Sequence, residues 1–175
     1  EIAPATPVAK KGSSKKIGKE PYLGGSGTEQ PGYYSNPMPG AIITQGIHGW
    51  NGIDLGAARG TPIHAAADGT VIIARNNGAW NGGYGNYVVI THANGTQTLY
   101  SHMKSAIVSS GQSVSSGQVI GYVGSTGRST GAHLHYEVRI GGEAVNPIPY
   151  MQTVAPGVAT DTVLAQSDMP ALMAR

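Results

Sequence analysis

The stretch that decides the fold is Tyr87–Tyr100, YVVITHANGTQTLY. Two runs rich in β-branched and aromatic side chains, Val88–Thr91 and Thr96–Tyr100, flank Asn94-Gly95. An Asn-Gly step between such runs is a strong hairpin signal, because both residues tolerate the left-handed backbone that a tight turn needs. The same texture spreads outward from this pair. Thr70–Ala74 (TVIIA), Val119–Val123 (VIGYV) and His133–Ile140 (HLHYEVRI) are short β-like runs bounded by glycine turns. Asp68-Gly69 is read as a second hairpin turn. No amphipathic helical period is seen before residue 150. Closely spaced strands with turn signals between them predict an all-β protein, an antiparallel sandwich or rolled sheet.

Composition sets the limits of that domain. The 27 glycines and the absence of phenylalanine disfavour a helical bundle and favour many tight turns. Residues 1–35 carry Pro, Gly, Ser and Lys without apolar periodicity, and read as a flexible basic linker or arm, with Tyr22, Leu23, Tyr33 and Tyr34 available to pack on the domain edge. The β-rich domain is placed at 36–150, and 151–175 reads as a C-terminal tail with a short helix allowed within Thr162–Gln166. Five of the eleven basic residues (Lys10, Lys11, Lys15, Lys16, Lys19) fall in the arm, so the remainder is near neutral. The arm reads first as solvated chain and second as a contact for an anionic polymer; no nucleic-acid partner is expected. No apolar run approaches the ~18 residues of a membrane helix. No secretory signal opens the sequence at Glu1, which fits a removed leader or a fragment.

Cysteine is absent, so any metal site must use histidine and carboxylate. The sharpest chemical signal is His133-Leu134-His135. On a strand, His133, His135 and Glu137 share one face while Leu134 and Tyr136 point to the core. Imidazoles about 7 Å apart along a strand serve one site as two ligands or as ligand and base, or else lie together on an exposed face. Glu137 is either an outer support for the pair or a surface carboxylate. His48 and Asp54 bracket the Gly-rich turn Gly-Trp-Asn-Gly, which suits a metal clip but also an ordinary Asp cap. His102 ends the second hairpin strand in Tyr100-Ser101-His102. Together these residues supply two imidazoles and a carboxylate for a zinc ion with an open fourth position, plus two spare histidines for proton transfer. No H-E-x-x-H helix supplies a glutamate base, no Lys follows the Gly-rich loop GSTGRSTG (124–131) as in a phosphate-binding loop, and no G-x-S-x-G elbow surrounds Ser101.

With these motifs in order, the sequence resembles the lysostaphin-type (LytM-domain) zinc endopeptidases of peptidoglycan over roughly residues 40–147. The matching stretches are 52–71, 83–103, 111–139 and 145–147. The resemblance implies an antiparallel β-fold with an open substrate groove and Zn2+ on its floor. It places metal ligands at Asp54 and His135, catalytic histidines at His102 and His133, and a groove-shaping loop at 124–131. The family's first ligand lies four residues before the aspartate; here Trp50 occupies that place, and His48, six residues before, takes the role. Gly49 and Gly52 are expected to loop out the two extra residues, with Trp50 against the groove wall. Ala132 stands where the family commonly has proline. His92 reads as structural, and His64 as a residue outside the chemistry. The implied protein is an extracytoplasmic endopeptidase acting on peptidoglycan peptides. The alternatives are a metal-free domain of the same fold that regulates another wall hydrolase, and a structural envelope or phage module whose partner is held by the extensions.

Overall fold

A computed structural model describes residues 27–48 and 51–152. Its elements are strands β1 (Ile42–His48), β2 (Gly52–Gly56), β3 (Pro62–His64), β4 (Gly69–Arg75), β5 (Asn86–Thr91), β6 (Gln97–Ala106), β7 (Ser113–Val114), β8 (Val119–Val123), β9 (His133–Ile140) and β10 (Glu143–Val145). Among the described residues the only helical pieces are single 3-10 turns at Asn81–Gly83 and Ile148–Tyr150. The expected helix within 162–166 lies outside the described residues, as do Tyr22, Leu23 and Trp50.

All strand pairs are antiparallel, in the order β1-β2-β9-β6-β5-β4-β7, with β10 on β9 and β8 joining β6 to β3. The sheet does not close on itself; it is the rolled all-β architecture expected. Period-two alternation sorts its faces. Ile53, Leu55, Val88, Ile90, Tyr100, Leu134, Tyr136 and Val138 point into one large core, whereas Tyr87, Val89 and Leu99 pack with Tyr84 in a smaller cluster on the other side.

The Asn94-Gly95 turn joins β5 to β6 as the sequence implies. Its loop holds three residues: the His92 N–H donates to Thr96 O (2.9 Å) and the Gly95 N–H to His92 O (2.9 Å). Gly95 takes φ +77, the left-handed position that ends this kind of hairpin. Asp68-Gly69 is not a hairpin turn. β3 pairs with β8, and β4 pairs with β5 and β7, so the runs on either side of Asp68-Gly69 are not sheet neighbours. Asp68 instead ties two loops, its carboxylate accepting the Ser116 N–H and its carbonyl accepting His92 Nδ1–H. Near the first described residues, Tyr34 is buried at 1% exposure and pairs with the last ones: its N–H donates to Tyr150 O and its carbonyl accepts the Gln152 N–H.

Candidate metal centre

The site is built where three strands meet. β2 and β9 pair so that Asp54 faces His135 and Gly56 faces His133, and β6 sets Ser101 opposite His135 from the other side. His48 ends β1 and pairs with Gly52 across the first hairpin. That register returns His48 to Asp54 despite the long spacing: His48 Nε2 lies 3.2 Å from Asp54 Oδ2. Among the described residues of this turn the left-handed angle falls on Asn51 (φ +66). Gly52 does not adopt it and serves another need: a β-carbon there would sit 2.3 Å from His135 Cε1. Glycine lets β2 pass beneath the imidazole.

Hydrogen bonds fix which nitrogen each histidine presents. Carbonyl oxygens only accept, so Nδ1 carries the proton in His48 (to Gly46 O, 2.8 Å), His102 (to Thr126 O, 2.8 Å) and His133 (to Gly131 O, 2.9 Å). Each of the three thereby turns Nε2 away from its carbonyl partner, and those of His48 and His133 lie near Asp54 Oδ2. His135 is reversed: its Nε2–H faces Glu137 Oε1 at 3.1 Å, and its Nδ1 faces Asp54 Oδ1 at 2.9 Å. The loop 124–131 thus positions both His102 and His133, through Thr126 and Gly131.

His102 reaches the cluster through a bulge. β6 follows β9 up to Ser101 and follows β8 from Met103, and its register to β5 slips by one residue between Tyr100 and Met103. At this joint His102 takes φ +59, rare for a residue with a side chain, and donates its N–H to Tyr84 O at 2.9 Å. Its ring comes to rest 4.7 Å from that of His133 and 5.9 Å from that of His135. His133 Nε2 lies 3.6 Å from Asp54 Oδ2. All five sequence-derived site residues are therefore brought together. His92 and His64 are not among them. His92 is buried between Asp68 O and Thr98 Oγ1, and His64 on β3 is tied to Gly117 O.

Exposure falls steadily through the site. The side chains of His48, His133, Asp54 and His135 are 27%, 17%, 11% and 4% exposed, and Glu137 is 0%, so the centre opens on the His48–His133 side and closes at Glu137. Charge follows the geometry. Burial opposes ionisation of Asp54, but its bond to His135 and the three surrounding imidazoles outweigh burial and hold it below the usual carboxylate range. Burial, reinforced by His133 and His135, pushes His102 down to about 4. Burial also works against a charged His135, yet hydrogen bonds and charge from Asp54 and Glu137 win and push it up to about 9. Glu137 is kept ionised against its burial by His135 and Arg139.

His48 Nε2, one Asp54 oxygen and His135 Nδ1 offer three donor atoms within 4.8 Å of one another. Zinc bonds of about 2.0–2.2 Å set tetrahedral ligands roughly 3.3 Å apart, and an N₂O donor set with the far imidazole nitrogens tied to acceptors is what such an ion takes. The residues fit. The description of peptidase family M23 matches residues 48–147. The chain belongs to this family. It is 52% identical over 105 residues to the "DD-carboxypeptidase/endopeptidase Mpg" of Neisseria meningitidis, covering 58% of this chain and 23% of Mpg. It is 44% identical over 107 residues to the "Murein hydrolase activator EnvC" of Escherichia coli, covering 61% of this chain and 25% of EnvC. The chain thus spans about a quarter of the length of these relatives. Among solved structures, a zinc containing peptidase from Vibrio cholerae superposes with a TM-score of 0.59 at 33% identity, covering 69% of this chain and 40% of that one. The catalytic domain of lysostaphin from Staphylococcus simulans gives 0.55 at 31% identity, covering 71% of this chain and 92% of that domain.

Gly52, Tyr84 and Arg139 were not marked by the sequence as site residues. Tyr84 was signalled only by its place in the family-like stretch that begins at Gly83, and Glu137 by its face on β9.

Proposed function

We propose that this M23 domain is a zinc-dependent endopeptidase that hydrolyses stem or bridge peptides of bacterial peptidoglycan outside the cytoplasm. The observation that carries this reading is the approach of His48 to Asp54, which completes a ligand set that the spacing left in question. His48 through Nε2, Asp54 through a carboxylate oxygen and His135 through Nδ1 hold the ion. When bound, zinc supplies Lewis acidity: it polarises a carbonyl and lowers the pKa of water toward ~7.

The chain's own residues do the rest. His102 is neutral at pH 7 because its pKa lies near 4, and its Nε2 is the unprotonated nitrogen, so it enters the reaction able to take a proton. His133 presents Nε2 on the more open side, beside Asp54, where it donates to the developing oxyanion or to the leaving amine once protonated. Substrate reaches the centre from the side of His48 and His133, the most exposed side chains of the cluster among the described residues.

The relative named as an activator motivates a second reading, in which the domain binds no metal and regulates another hydrolase. The intact His48–Asp54–His135 set weighs against it. Metal analysis of the purified chain, combined with mass spectrometry of digested peptidoglycan, separates the two. The expected result is stoichiometric zinc and new amino termini in the wild type, with both lost in His48→Ala. No zinc and no cleavage in the wild type rejects the enzyme in favour of the regulator. Unchanged zinc and cleavage in His48→Ala removes His48 from the site.

A further inference from the structure

Behind the zinc ligands, on the closed side of the site, lies a buried polar row that the proposed reaction does not use. Glu137 is fully buried, and both of its oxygens are engaged. Oε1 accepts Nε2–H of His135 (3.1 Å) and the hydroxyl of Tyr84 (2.8 Å), and Oε2 accepts Nε–H of Arg139 (2.8 Å). Arg139 also donates to Tyr84 Oη at 3.1 Å, closing a triangle of Glu137, Arg139 and Tyr84. A lone buried carboxylate is expensive, and a structural ion pair with Arg139 would be satisfied without a histidine. Here the carboxylate is instead shared, and the third partner is the most buried of the candidate ligands.

We infer that Glu137 is the positioning residue of the metal centre, fixing the His135 ring so that Nδ1 faces Asp54, with Tyr84 and Arg139 holding its carboxylate in place. The inference rests on the zinc reading above. Both ring nitrogens of His135 face side-chain carboxylates, Asp54 and Glu137, whereas Nδ1 of His48, His102 and His133 faces a backbone carbonyl, so side chains orient the His135 ring. A carboxylate on the far nitrogen also raises the basicity of the ligating one. Tyr84 has a second attachment, since its backbone carbonyl accepts the N–H of His102. One residue thereby spans the supports of a metal ligand and of a proton-transferring histidine.

The test is zinc affinity, measured by competition with a chromophoric chelator, together with the ring ¹⁵N–¹H spectrum of the zinc-loaded protein. Wild type should show His135 protonated at Nε2. Glu137→Gln keeps the shape and removes the charge; it should weaken zinc by about 10- to 100-fold and shift or lose that Nε2–H signal. Tyr84→Phe should give a smaller fall in the same direction, and its spectrum should show the same signal displaced. Unaltered affinity and an unaltered His135 signal in a folded Glu137→Gln protein would reduce Glu137 to a structural ion pair. If Glu137→Gln does not fold, Tyr84→Phe decides, and no change there in either measurement overturns the inference. A wild type that binds no zinc overturns the metal reading itself, whereas a wild type that binds and a Glu137→Gln variant that binds equally overturn only the positioning role.

Discussion

Two imidazoles two residues apart on one strand, His133 and His135, differ in what their ring nitrogens meet, and the proposed division of roles rests on that difference. His133 has its Nδ1 tied to a loop carbonyl and its Nε2 toward the open side; His135 is turned the other way and locked between two carboxylates. His133→Ala should therefore retain zinc and lose cleavage, while His135→Ala loses both; metal content measured beside hydrolysis checks this, and equal loss of metal would collapse the distinction. Gly52 makes a complementary prediction. Its missing side chain leaves room for the His135 ring, which a β-carbon would meet at 2.3 Å. Gly52→Ala should cost about 1–3 kcal/mol through overpacking, and should weaken zinc even though alanine has no polar atom to compete. A variant with wild-type zinc affinity would show that the ring has room to retreat. At this scale the sequence was partly legible. Period two marked His133, His135 and Glu137 as one face, but the burial of Glu137 depends on β9 lying between β2 and β6, a long-range pairing that local pattern does not contain.

The element that aims the chemistry is β6, through the bulge at which it changes partners. Left-handed backbone at His102 costs about 1–2 kcal/mol for a residue with a β-carbon, and the molecule tolerates it at the point where the strand must turn a side chain toward the cluster. His102→Gly and His102→Ala should both abolish hydrolysis, with the glycine variant the more stable by about 1 kcal/mol, since only glycine escapes the penalty. Thermal or urea melts of the two variants test this; an alanine variant as stable as the glycine one would mean that the backbone relaxes once the histidine is gone. Hairpin chemistry was readable where both strands were sheet neighbours, as at Asn94-Gly95. It misled at Asp68-Gly69, whose turn-like residues serve a junction between loops, because sheet order places β8 beside β3 and β7 beside β4. The approach of His48 to Asp54 likewise follows from register, through the pairing of His48 with Gly52, which the spacing alone does not contain.

Across the whole molecule, buried histidines of opposite tendency shape the response to pH. His92, chiefly by burial, and His102, chiefly by burial, have pKa values below the unfolded value of 6.5. The unfolded chain then takes up more protons in acid, so their contribution is full above pH ~6.5 and is lost as pH falls, down to about 4 for His102. His135 has the reverse sign. Burial lowers it, but Asp54 and Glu137 together carry it up to about 9, so without metal its contribution is full below ~6.5 and is lost as pH rises through about 9. The metal-free protein should therefore be most stable near pH 6.5 and weaken on both sides, His102 and His135 each contributing about 3 kcal/mol to its own limb by the ~1.4 kcal/mol per pKa unit of linkage. Zinc should offset the alkaline limb. On the proposed reading the ion would take the place of the His135 Nδ1 proton, so zinc and proton would compete, and the stabilisation by zinc should grow as pH rises from ~5.5 to ~8.5. Melting temperatures with zinc and with chelator, taken from pH 5.5 to 9, should diverge steadily on the alkaline side while both fall in acid. A zinc-induced shift that does not change with pH would show that His135 Nδ1 carries no proton for the metal to displace.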